Sequence, residues 1–226
     1  MSSPIAPEDY WQVLLPAGTV TDPLAWPETY VATLPDGSQL PLPIRPRSDG
    51  TGLASLIINQ ASFGVLETIA GRLAERLEAI GMELIVGLPT LGLTLAAEVA
   101  RRLGHRRYLP LGTSPKFWYR NELSVPIASV TTSTERRLYV DPRLLPLLAG
   151  RRVALIDDVI SSGRSIMAGI ELLALCGTEP LAIGAAMLQG TGWQTAQSPA
   201  LPLWQERTIG VFRTPLLHRK GSGWAA

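Results

Sequence analysis

The chain has 226 residues, 46% of them hydrophobic, and a formal net charge of +1. That length suits one sizeable core with appendages. The balanced charge, with no block of like sign, argues against nucleic acid or an anionic membrane as the main partner.

The opening Met1-Ser2-Ser3-Pro4 lacks the basic and apolar regions of a signal peptide, and no apolar run approaches the roughly 20 residues needed to span a bilayer. The single cysteine, Cys176, can form no internal disulfide, so a reducing, cytoplasmic setting is expected. With one cysteine, His105 and His218 make no zinc constellation.

Residues 1–50 are proline-rich, with one clear element. Thr29–Leu34 and Ser38–Leu42 flank Pro35-Asp36-Gly37 and read as a hairpin, with Pro41 and Pro43 confining the second strand to a sheet edge. From Leu53 to Ile80 the spacing predicts a helix: Leu66, Ile69, Leu73, Leu77 and Ile80 share a face, and Gly81 ends it. Gly64 and Gly71 suggest a break or a close crossing. Glu83–Leu88 reads as a buried strand, Thr90–Leu103 as a helix closed by Gly104, and Tyr108–Leu111 as a strand.

Residues 112–135 show no steady period. Arg137–Val140 could be a strand and Pro142–Leu148 a short helix. A strand from Val153, a helix over Ser165–Leu175 and a strand over Leu181–Leu188 follow. Beyond Gln189 only Arg207–Phe212 suggests regular structure. Strand and helix alternating in this way imply an α/β fold, a parallel twisted sheet with helices on both faces. The chain divides into an N-terminal extension (1–50), a core (51–188) and a C-terminal tail (189–226).

Val153-Ala-Leu-Ile-Asp-Asp-Val-Ile-Ser-Ser-Gly-Arg-Ser165 is the most informative stretch. Val153–Ile156 is an apolar run suited to a strand buried on both faces. Asp157 and Asp158 then fall at the carboxyl edge, where open α/β sheets bind ligands. Ser161, Ser162, Gly163 and Ser165 open the next helix, whose outward amides and dipole favour an anion. A carboxylate pair for a diol beside a phosphate cradle suits a ribose 5-phosphate.

This segment resembles the phosphoribosyl-pyrophosphate (PRPP) motif of the type I phosphoribosyltransferases: four apolar residues, two acids, two apolar residues, two hydroxylic residues, Gly, any residue, Ser or Thr. The resemblance implies that Asp157 and Asp158 hold the ribose hydroxyls, and that Val159, Ile160, Ser161, Ser162, Gly163, Arg164 and Ser165 complete the PRPP loop. It places a pyrophosphate loop at Pro89, Thr90, Leu91 and Gly92, where a plain strand–helix connection with Thr90 as N-cap is the alternative. The long stretch over 112–135 falls where family members close a loop over the site. Lys116 and Arg120 are then the candidate catalytic cations, interleaved with Phe117, Trp118 and Tyr119. A buried aromatic patch at a dimer interface is the competing reading.

The implied activity is transfer of ribose 5-phosphate from PRPP to a nucleobase with release of pyrophosphate. Magnesium would arrive on the diphosphate rather than in a protein cage. A small hood from the terminal segments would cover the base, and a homodimer is expected. The base itself is unmarked. Ser161 replaces the Asp of the hypoxanthine-guanine enzymes, and the lysines of the orotate enzymes and the acidic-Arg pair of the adenine enzymes are absent. The apolar, Trp-bearing hood leans towards a purine-like ring. A non-catalytic PRPP-binding regulator is the alternative. A dinucleotide oxidoreductase is disfavoured, because no Gly-x-Gly-x-x-Gly turn follows a strand.

Overall fold

The computed structural model describes residues 5–21, 26–127 and 136–226. Strands β1 (Thr29–Thr33) and β2 (Gln39–Pro46) form the expected hairpin, antiparallel, with Thr33 opposite Gln39. Gly37 takes φ +85°, and Asp36 Oδ1 accepts from Ser38 N–H at 3.0 Å and Ser38 Oγ at 2.6 Å. β2 is not an edge strand, however, because β3 (Thr51–Ala54) pairs on its other side. Ile44 N–H donates to Glu28 O, so Pro41 and Pro43, of opposite parity, turn their nitrogens away from β1. Beyond β3, Ser55 N–H donates to Pro43 O at 2.9 Å and Ser55 O accepts from Trp11 Nε1 at 3.0 Å, so the missing proline donor leaves that carbonyl satisfied.

The helix expected from Leu53 starts later. Ile58–Gln60 is a 3-10 turn and α1 spans Phe63–Ile80. The β-branched pair Ile57–Ile58 disfavours helix, and the Ser62 hydroxyl starts it by accepting from Val65 N–H at 3.3 Å. Ile69, Leu73 and Leu77 are fully buried on one face, each contributing about 1.5–3 kcal/mol relative to exposure. Gly81, at φ +74°, ends the helix.

Next come β4 (Leu84–Gly87), α2 (Gly92–Arg102) and β5 (Leu109–Pro110). Gly71 does not break α1. A Cβ there would lie 3.2 Å from Arg102 Nη1, so the glycine marks where α1 and α2 pass closely. β6 (Ser124–Ile127) and β7 (Arg136–Tyr139) pair antiparallel, so part of the stretch read as irregular is a strand; residues 128–135 of it lie outside the described residues. A 3-10 helix over Pro142–Leu147 leads to β8 (Val153–Ile160), α3 (Arg164–Leu175), β9 (Ala182–Gln189) and β10 (Thr208–Thr214). β11 (Leu216–Lys220) and β12 (Gly223–Ala225) close the chain.

Five parallel strands in the order β10-β9-β8-β4-β5 make the core sheet. α1 and α2 cover one face, while α3 and the β6–β7 pair cover the other. The fold is thus α/β with helices on both faces. β1-β2-β3-β11-β12 form a second, hood-like sheet from both terminal regions of the chain. The two sheets do not follow cuts at 50 and 188, for Thr51–Ala54 belongs to the hood and Thr208–Thr214 is the outermost core strand.

Candidate functional site

β8 runs past Ile156 to Ile160, because β9 pairs with it as far as Ile160 opposite Leu188. The two acids therefore sit within the strand, near its carboxyl end, rather than beyond it. Asp157 is 7% exposed, and its Oδ1 accepts from Asp158 N–H at 3.0 Å. Burial raises the Asp157 carboxyl well above its usual range, and the adjacent Asp158 charge adds to the rise. Burial also raises Asp158. Two carboxyls held this way gain from any ligand that donates hydroxyls to them.

Ser161, Ser162, Arg164 and Ser165 are exposed around a buried Gly163. Gly163 has φ +78° and precedes α3, whose first turn receives no side-chain cap. Its leading amides are thus free for an anion. The turn has no room for a side chain, since a Cβ on Gly163 would lie 2.8 Å from the Trp204 ring.

The loop after β4 meets the same place. Leu88 N–H donates to Ile156 O at 2.9 Å, and the Pro89–Thr90 peptide is cis. α2 starts at Gly92 with Leu91 as its N-cap, which offers no side-chain acceptor, so Thr90 is not the cap. A Cβ on Gly92 would lie 2.8 Å from both Asp157 Cα and Asp157 Oδ1. Two helix starts without side-chain caps therefore converge on one acid pair. Val159 faces a cavity of about 190 Å³ between the hood and the core sheet. Arg45, Leu53, Ala54, Ser55 and Leu56 line it from the hood; Asp158, Met187 and Gln189 line it from the core.

Gln189 went unnoticed in the sequence. It is 5% exposed, and its Nε2 donates to Ala54 O at 2.7 Å, tying the core sheet to the hood. A carbonyl partner fixes the amide orientation and leaves Oε1 as an acceptor at the cavity. The available signal was a polar residue ending the all-apolar run Ala182–Leu188. Arg45 and Ser55 had no such signal, since only the folding of the hood brings them here. A larger cavity of about 1120 Å³ lies against the hood and the N-terminal segment and contains no residue of either loop.

Lys116 and Arg120 are exposed, and neither side chain has a hydrogen bond or ion pair among the described residues. The structure does not join them to the acid pair. Their neighbourhood is anchored elsewhere: Trp118 Nε1 donates to Asp141 Oδ2 at 3.3 Å, and the Arg143 guanidinium lies 4.5 Å over the Trp118 ring. Hydrogen bonds from Arg143 lower the Asp141 pKa to about 2. Phe117 is 98% exposed.

A parallel sheet with an acid pair near the carboxyl ends of its strands, packed against a helix start without a side-chain cap, defines an α/β scaffold with a polar site at that edge. The phosphoribosyl transferase domain model matches residues 56–205, and the chain belongs to that family. It is 32% identical over 132 residues to the bifunctional protein PyrR of Streptomyces coelicolor, a match spanning 57% of this chain and 63% of that protein. It is 30% identical over 152 residues to the adenine phosphoribosyltransferase of Frankia casuarinae, covering 67% and 74% of the two chains. Among solved structures, the adenine phosphoribosyltransferase of Thermoanaerobacter pseudethanolicus superposes with TM-score 0.57 at 18% identity, over 76% of this chain and 95% of that one. The APRTase of Giardia lamblia complexed with 9-deazaadenine gives 0.60 at 19%, over 76% and 93%. At these identities the two structures share the fold. No helix among the described residues is long and apolar enough to cross a membrane.

Proposed function

We propose that the protein is a magnesium-dependent phosphoribosyltransferase that moves ribose 5-phosphate from PRPP to a nucleobase. The observation that carries this reading is the packing of Gly92 on Asp157, which brings the loop after β4 against the acid pair whose strand runs on into the Ser161–Ser165 turn. The α3 amides with Ser161, Ser162 and Ser165 hold the 5-phosphate, and Asp157 and Asp158 accept from the ribose hydroxyls. Pro89, Thr90, Leu91 and Gly92 face the leaving group, with the α2 amides behind them. A base nitrogen forms the bond to ribose C1 as the C1–oxygen bond breaks, and pyrophosphate leaves with the electron pair. Positive charge on the sugar and negative charge on the leaving oxygens make preorganised donors the useful groups.

Asp157 and Asp158 are engaged with the ribose hydroxyls in this reading, so magnesium is taken to arrive on the diphosphate. Bound there, the ion supplies charge neutralisation at the leaving group. Lys116 and Arg120 are proposed to add cations as the segment around them closes, which also excludes water from the sugar carbocation.

The acceptor base fits the cavity beside Val159, where Gln189 Oε1 can accept an N–H from it. The apolar surroundings suit a flat, purine-like ring, and the likeness to adenine phosphoribosyltransferases supports that choice. The nearly bare Phe117 beside Trp118 favours a homodimer, and the single cysteine favours a cytoplasmic setting.

Pyrophosphate release from PRPP and magnesium, measured with adenine, hypoxanthine, guanine, uracil and orotate in turn, tests this reading. Release with one base establishes reaction and acceptor together. Saturable PRPP binding with no release for any base replaces it with a non-catalytic PRPP sensor.

A further inference from the structure

The amino edge of the core sheet carries a second polar cavity, at the end of the strands opposite Asp157 and Asp158. Its volume is about 440 Å³, and Glu83, His105, Arg106, Arg107, Leu147 and Arg151 line it. Glu83 precedes β4, Arg106 and Arg107 precede β5, and Arg151 precedes β8. Three neighbouring parallel strands thus begin side by side and bring three guanidiniums to one concavity.

These cations lack side-chain partners among the described residues. Arg72, Arg101, Arg102, Arg143 and Arg207 all hold carboxylates. The side chains of Arg106, Arg107 and Arg151 form no ion pair or hydrogen bond among the described residues. Glu83, the one acid present, is already engaged: its Oε2 accepts from Arg152 N–H at 2.9 Å and lies 3.6 Å from Arg152 Nε. His105 Nε2 donates to Met82 O at 3.1 Å, since a carbonyl can only accept. The concavity is therefore left with uncompensated positive charge.

Guanidinium groups bind phosphate oxygens through paired N–H donors. We propose that this cavity binds a small phosphorylated anion of the nucleotide or pyrophosphate class. Its volume falls within the roughly 300–1,000 Å³ of small-molecule sites. A net charge of only +1 disfavours an extended nucleic-acid strand. From Arg151 to Asp157 the chain advances six residues at about 3.3 Å each, so the two sites lie roughly 20 Å apart. The assignment does not depend on the transferase reading.

Equilibrium dialysis of the full chain with labelled inorganic pyrophosphate, AMP and ATP in turn counts the sites and separates a product of the reaction from a nucleotide of other origin. At least one of the three should occupy two sites per chain. Arg106→Gln/Arg151→Gln should weaken one of them on the order of tenfold, the equivalent of about 1.4 kcal/mol, and leave pyrophosphate release unchanged. Arg107→Gln alone, which alters neither β4 nor β8, should weaken the same site severalfold and guards against a misfolded double variant. Asp158→Asn should leave this site intact. A single site that the double variant removes supports the proposal and counts against the transferase reading instead. Binding that survives the double variant undiminished for all three probes overturns it. So does single-stranded RNA that binds the wild type and is lost in the double variant while small-anion binding is unchanged.

Discussion

Gly92 and Asp157 are in backbone contact: a Cβ on Gly92 would stand 2.8 Å from Asp157 Cα and 3.1 Å from Ile156 O. The first turn of α2 therefore presses on the strand that presents the acid pair. Gly92→Ala should force them apart and lower kcat/KM for PRPP on the order of tenfold or more, since misplaced transition-state groups cost that much. Steady-state kinetics with PRPP varied would decide it, and an unchanged kcat/KM would show that the contact has slack.

Asp158→Asn should reduce PRPP-dependent turnover on the order of 100-fold, because a group that binds the transition state typically contributes several kcal/mol. The fold should survive. Turnover within a fewfold of the wild type counts against the role given to the pair.

The raised Asp157 pKa has a consequence for stability with a definite sign. A carboxyl whose folded pKa lies above its unfolded value, 3.8, stabilises the fold when protonated. That stabilisation is complete below the unfolded value and is lost as pH rises through the folded one. Ligand-free Asp157→Asn, which cannot ionise, should therefore melt above the wild type at pH 8 and lose that advantage towards pH 3. Equal melting temperatures at pH 8 would mean that the buried carboxyl carries no such penalty.

Gly163→Ala should weaken PRPP binding and lower stability together. Its φ of +78° disfavours alanine by about 1 kcal/mol, and the new methyl meets the Trp204 ring at 2.8 Å. Trp204 is wholly buried, with its Nε1 donating to Ala196 O at 3.1 Å, so the ring cannot swing aside. A variant with the affinity and melting temperature of the wild type would show a softer contact than the structure describes.

Gln189→Leu should raise KM for the base and leave KM for PRPP nearly unchanged. It keeps the side-chain bulk while removing both the anchor to Ala54 and the acceptor at the cavity. Losing a buried hydrogen-bonding group costs about 1–3 kcal/mol, which is on the order of tenfold in affinity. A parallel rise in both KM values would make Gln189 a hood anchor and nothing more.

Asp141→Asn should destabilise by about 1 kcal/mol at most, the upper value of an ion pair near the surface, because Asn keeps the acceptor for Arg143 N–H but loses the charge that the Arg143 guanidinium meets. Its folded pKa of about 2 lies below the ordinary 3.8, so the ionised form supplies stability above the ordinary value and loses it as pH falls towards 2. The gap in melting temperature between variant and wild type should close over that interval. A gap that stays constant would show that the Asp141 charge is not its source.

The amino-acid sequence by itself determined the alternation of strand and helix, the Asp36-Gly37 hairpin, the α1 stop at Gly81 and the thirteen-residue stretch over Val153–Ser165. These are local features: periodicity, turn chemistry and helix ends depend on residues a few positions apart. Only the tertiary structure decided that β2 is an inner strand, that Thr208–Thr214 extends the core sheet, and that β8 continues through its two acids. Each depends on which strand lies alongside, and pairing partners are distant in the chain. The same reason hid Gln189 and Arg45, which meet Val159 at a cavity whose walls come from residues more than 100 positions apart, 45–56 and 158–189. It hid the arginine cluster too, because Arg106, Arg107 and Arg151 become neighbours only when β5, β4 and β8 line up in parallel.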